Sequence, residues 1–101
     1  MPDSLYVVLS EAGANRDLSI GTREQAFWNE HAAFIDALVE DGFIALGGPF
    51  PDEGGAMIVV RAKSEADVHA RLEPDPWYRN DILRLAGVHR WELFIQELGQ
   101  T

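Results

Sequence analysis

Apolar and polar positions along this 101-residue chain fall into blocks of distinct period. Leu5-Tyr6-Val7-Val8-Leu9 is apolar throughout and rich in β-favouring side chains, which predicts a buried first strand. Ser10 to Gly21 is polar and glycine-bearing, so it reads as a loop. Thr22-Arg23-Glu24-Gln25 has the form of a capping box, whose hydroxyl and amide would satisfy the orphan donors of a helix start. Phe27, His31, Phe34, Ile35 and Leu38 follow at helical spacing on one face, and Gly42 supplies a left-handed stop. A helix from Arg23 to Asp41 is predicted.

Phe43-Ile44-Ala45-Leu46, ending in Gly47-Gly48-Pro49, predicts a second strand. Phe50 to Gly55 carries the proline, aspartate and glycine of a hairpin connection, and Ala56 to Ala62 predicts the third strand. Ser64, with Asp67 three residues on, caps a short second helix that Pro74 prevents from continuing. From Val88 to Leu98, His89, Trp91, Leu93 and Ile95 alternate with Arg90, Glu92 and Gln96, broken by Phe94, which predicts strand four.

The order β-α-β-β-α-β is the ferredoxin-like split unit, an α+β fold with an antiparallel sheet. Two helices cover one face of that sheet. Strands one and three are apolar at every central position, so the second face needs cover too. A second copy would supply it, which predicts a homodimer and a dimeric α/β barrel. No repeat, low-complexity stretch or linker interrupts residues 1–101, which read as one domain.

Composition narrows the partners. Hydrophobic residues are 47% and charged residues 25%, ordinary for a globular chain. Without cysteine there is no disulfide, thiolate ligand or thiol nucleophile. A net charge of −9 opposes nucleic acid and anionic membranes. A small anionic substrate stays compatible, because one buried arginine outweighs a distant negative surface. No apolar segment approaches the roughly 18 residues of a membrane span, and no signal-peptide pattern opens the chain. The expected setting is the cytoplasm.

Two motifs carry candidate chemistry. His31 places an imidazole on an apolar helix face beside Phe27, Phe34 and Ile35. It reads either as a core histidine satisfied by one hydrogen bond or as a general acid/base. Asp75 opens Asp75-Pro76-Trp77-Tyr78 and reads either as a turn-opening residue or as the carboxylate that orients His31. Arg23, eight positions before His31, falls on the same stripe; it is a solvated first-turn residue or a bidentate anion binder. Gly47 and Gly48 permit close backbone approach or offer N–H groups to an oxyanion. Trp77 and Tyr78 pack over a cleft or at a dimer interface, while Trp28 and Trp91 read as packing residues. His69 lies on a polar helix. His89 shares the apolar face of strand four, as core or cleft lining. Three histidines without HxH or HxxxH spacing make no metal site, and no serine sits in a nucleophile elbow.

The chain resembles the YCII-related family, close to the muconolactone-isomerase type of dimeric α/β barrel. The resemblance rests on Tyr6, Arg23, His31, Asp41-Gly42, Gly47-Gly48-Pro49, Val59 to Ala62, Asp75-Pro76-Trp77 and Val88-His89-Arg90-Trp91. Arg90 departs from it, since proline commonly precedes the closing aromatic. The resemblance implies a small-molecule enzyme with His31 and Asp75 as a catalytic pair and no cofactor. Arg23, Gly47, Gly48 and Trp77 would then contact a small organic acid or ring compound, and the reaction would be lactone isomerisation or dehydrochlorination. The alternative is a non-catalytic binding or accessory dimer using the same cleft.

Overall fold

A computed structural model describes residues 3–97. Its elements are β1 (Ser4–Ala12), a 3₁₀ turn (Thr22–Glu24), α1 (Trp28–Glu40), β2 (Ile44–Pro49), β3 (Ala56–Ala62), α2 (Glu65–Leu72), α3 (Pro76–Arg79) and β4 (Leu83–Trp91). The strands form one antiparallel sheet in the order β2-β3-β1-β4, the ferredoxin-like arrangement expected from the sequence.

Period-two alternation sorts the strands into two faces. Tyr6 and Val8 of β1, paired with Val60 and Ile58 of β3, turn toward the helices. There they join Leu38 of α1, Val68 and Leu72 of α2, and Phe43 and Ile44 in the main core. Trp77, Ile82 and Leu83 form a second cluster beneath α3, packed against Trp28 and Tyr78. The opposite face carries Leu5, Val7 and Leu9 beside Met57 and Val59. None of the helices covers it.

Local signals acted as expected at several points. The Ser64 hydroxyl accepts the Asp67 N–H (3.1 Å) at the start of α2, and Gly42 takes φ +87° just after α1. Other boundaries differ. α1 begins at Trp28 rather than Arg23, and its preceding residue Phe27 is left-handed (φ 63°) and 43% exposed, so Phe27 leaves the predicted buried face. Thr22 and Gln25 are engaged elsewhere. The Gln25 amide, 4% exposed, accepts the Asp17 N–H (2.9 Å) and donates to the carbonyls of Asp17, Ile20 and Gly21. It ties down the loop instead of capping a helix.

Strand four runs Leu83–Trp91, not Val88 to Leu98, because β1 extends to Ala12 and pairs along it as far as Leu83. Ala86 is passed over in the pairing, between Leu9 opposite Gly87 and Ser10 opposite Leu85, so the strand bulges there. Residues 92–97 alternate in sequence but form no strand; Leu98 lies outside the described residues. α3 has no counterpart in the sequence reading.

Candidate active site

A cleft of about 700 Å³ opens between the helices and the sheet. Its floor is Val8, Ser10, Ala56, Ile58, Gly47 and Gly48; Trp28, His31, Ile35 and Val39 of α1 form one wall, and Asp75, Trp77 and Tyr78 another. Arg16 and residues 21–24 of the loop border it.

Asp75 is placed by local chemistry. It is the N-cap of α3, with Pro76 at the first helical position, and its Oδ1 accepts the Trp77 backbone N–H (2.9 Å). That cap turns the carboxylate inward, where the residue is 1% exposed. His31, in the first turn of α1, meets it: Nδ1 lies 2.9 Å from Oδ1 and 3.0 Å from Oδ2. A carboxylate only accepts, so Nδ1 carries the proton and Nε2 is the ring nitrogen left for the cleft. Burying a charged carboxylate is costly unless hydrogen bonds compensate it, and here the Trp77 amide and the imidazole do so.

Trp77 completes the assembly. Its indole stacks on the imidazole, and its Nε1–H donates to the Ala26 carbonyl (2.8 Å), which ties α3 to the segment entering α1. Trp28 packs obliquely on both rings. Beside them the Tyr78 hydroxyl hydrogen-bonds the Ser10 hydroxyl. Burial pushes the Tyr78 phenol above its ordinary range; the Ser10 bond lowers it, and the Asp75 charge adds to the rise.

The structure thus brings His31, Asp75 and Trp77 into contact, with Arg23, Gly47 and Gly48 on the same cleft. Arg23 reaches it from the 3₁₀ turn, not from a stripe of α1, and its guanidinium lies 5.9 Å from the Trp28 ring. Gly47 is held close to β3, where a Cβ would come within 2.5 Å of Ile58 Cγ2; at Gly48 a Cβ meets nothing within 4 Å. His89 is exposed and pairs beside Val7 on the face away from the helices, so it does not line the cleft. His69 is exposed beside Glu65 (3.3 Å), as expected for a polar helix.

Tyr78 lines the cleft, one of the two positions the sequence offered for it, whereas Ser10 and Arg16 are cleft residues that sequence reasoning did not single out. For Ser10 the signal was present, because it continues the Tyr6, Val8 alternation of β1. For Arg16 there was none. Among the described residues no group of three or more His, Cys, Asp or Glu side chains is arranged to hold a metal, and no helix is long and apolar enough to cross a membrane.

A four-stranded antiparallel sheet in the order β2-β3-β1-β4, backed by helices on one face, defines a ferredoxin-like α+β fold, with the His–Asp pair in the cleft between helices and sheet. The chain belongs to the YCII-related domain family, whose model matches residues 4–92. Its fold is similar to that of 5-chloro-2-hydroxyhydroquinone dehydrochlorinase from Burkholderia phenoliruptrix AC1100, solved in complex with 2,5-dihydroxybenzoquinone. The TM-score is 0.65 at 23% identity, covering 87% of this chain and 93% of that one. At this identity the likeness concerns the fold. No curated protein shows significant similarity to the chain.

Proposed function

We propose that this chain is a cofactor-independent small-molecule enzyme of isomerase or lyase type, moving a proton with His31 as acid/base and Asp75 as its orienting partner. The observation that carries the reading is the two-oxygen hold of Asp75 on His31 Nδ1 (2.9 and 3.0 Å) at the edge of an otherwise largely apolar cleft. With Nδ1–H fixed, Nε2 accepts a proton from a substrate carbon beside a carbonyl, and Asp75 stabilises the imidazolium that forms. Returning that proton to another carbon of the enolate gives isomerisation. If chloride departs with the C–Cl electron pair instead, the net loss is HCl.

In this reading Trp77 fixes the imidazole plane and Arg23 faces the developing anion from the rim. Gly47 and Gly48 keep the floor clear of side chains so that a ring can lie on it. The working unit is a single-domain homodimer in the cytoplasm. The dimer is supported by the apolar sheet face on which Leu5, Val7, Leu9 and Met57 stay half-buried around the buried Val59.

The test is turnover of muconolactone and of 5-chloro-2-hydroxyhydroquinone, the latter chosen from the fold relative, by the native protein and by His31→Ala and Asp75→Asn. Loss of at least about 100-fold in kcat in both variants is expected for a positioned acid/base. Full turnover in either variant overturns the dyad. Binding of both compounds without turnover by the native protein assigns the cleft to a non-catalytic binding module.

A further inference from the structure

Arg16 is the cleft residue whose bonding is incomplete. Its backbone N–H donates to the Gly13 carbonyl (3.1 Å), and its Nη2 donates to the Thr22 hydroxyl (3.2 Å), so the loop and the side chain are both fixed. The buried Gln25 amide, bonded to Asp17, Ile20 and Gly21, pins the rest of that loop. Yet the Arg16 Nε is buried without a hydrogen-bond partner, alone in this among the side-chain nitrogens and oxygens of the described residues.

No carboxylate answers it. The ion pairs among the described residues are His31–Asp75, His69–Glu65, Arg71–Asp41 and Arg84–Asp81; Arg16 is in none of them. This happens in a chain with 17 acidic and 8 basic residues, where a carboxylate partner is the easiest thing to supply. Guanidinium stays charged at any working pH, and a buried N–H left unpaired is destabilising. The missing charge partner is what a ligand can supply, because Arg16 lines the cleft and an anionic group bound there would pair with its guanidinium.

The position defines that ligand. The Arg16 guanidinium carbon lies 6.0 Å from the Trp77 ring, and the same indole stacks on His31. Arg16 and the imidazole therefore both neighbour the Trp77 indole, and both line the cleft. We propose that Arg16 binds an anionic group of the ligand, so that the cleft selects small ring-sized organic anions, carboxylates or enolates, over neutral molecules of the same shape. This rests on the reading of the cleft as a substrate site and is independent of whether His31 moves a proton. It assigns anion recognition chiefly to Arg16, because Arg23 is exposed and its charge is screened by water.

Benzoate and benzamide are suitable probes, matching in shape and differing in charge, with binding read by calorimetry near neutral pH. Benzoate is expected to bind at least about tenfold more tightly than benzamide to the native protein, as charge-assisted pairing with a guanidinium fork implies. Arg16→Gln should abolish that preference while leaving benzamide binding intact. Arg16→Lys should keep part of it, since lysine retains the charge and loses the fork. His31→Gln should leave the preference in place, so a failed dyad and a failed anion site give different results. Equal binding of the two probes, no binding of benzoate, or a preference that survives Arg16→Gln in a protein with native circular dichroism overturns the proposal.

Discussion

The imidazole of His31 and the indole of Trp77 lie face to face, with centroids 3.8 Å apart and planes 4° from parallel. Asp75 holds both partners, the first through Nδ1 and the second through its backbone N–H. One carboxylate therefore sets the tautomer, the ring plane and the start of α3 together.

Trp77 is 2% exposed, and its replacement separates stacking from hydrogen bonding. Trp77→Phe keeps an aromatic face but loses the bond to the Ala26 carbonyl, an expected cost of about 1 kcal/mol. Trp77→Ala removes the stack and opens a cavity, at about 3–5 kcal/mol. Urea denaturation of the two variants reads the difference. Equal stabilities would mean that the ring contributes nothing.

Tyr78 makes the alkaline limit of stability predictable in sign. The phenol ionises near its ordinary value of 10.0 in the unfolded chain and at higher pH in the fold, chiefly because it is buried. Between those values the folded state binds more protons, so the contribution is complete below the unfolded pKa and is lost as pH rises through the folded one. Tyr78→Phe should flatten the alkaline fall of the melting temperature. An unchanged alkaline slope would contradict this.

Gly13 links the loop that carries Arg16 to the rest of the fold. A Cβ there would lie 2.1 Å from the Asp81 carbonyl oxygen and 2.5 Å from its carbon. That backbone has little freedom, because Gly13 and Asn15 donate to Ile82 and Asp81 (2.9 Å each) and Asp81 is itself left-handed at φ 57°. Gly13→Ala should destabilise by about 1–3 kcal/mol and weaken benzoate binding. Gly48→Ala, which meets nothing within 4 Å, should leave stability within about 1 kcal/mol of native. Thermal melts that rank the two variants the other way would refute the packing argument.

The open sheet face predicts a dimer in solution. Light scattering should give about twice the chain mass of 11.3 kDa. Val7 lies at the centre of that face, opposite Val59 and His89, so Val7→Glu should yield a monomer. A monomeric native protein would leave the apolar face without the assigned cover.

What the sequence determined by itself is the part governed by neighbours within a few residues. The β-α-β-β-α-β order of elements along the chain, the bounds of β3, the Ser64 cap and the Gly42 stop follow from local spacing and backbone preference. The same locality explains the misreadings. Thr22 and Gln25 carry the residue types of a capping box, but a hydroxyl and an amide bond whatever comes within reach. Folding brought Arg16 and the loop carbonyls to them instead. α3 spans four residues, too few to display a period. His31 and Asp75 are 44 positions apart, and their contact depends on how α3 packs against α1. The unpaired Arg16 Nε is likewise a property of how its loop packs beside the cleft. Only the tertiary structure decides which polar groups are buried together and which are left without a partner, because both depend on the simultaneous packing of segments distant in the chain.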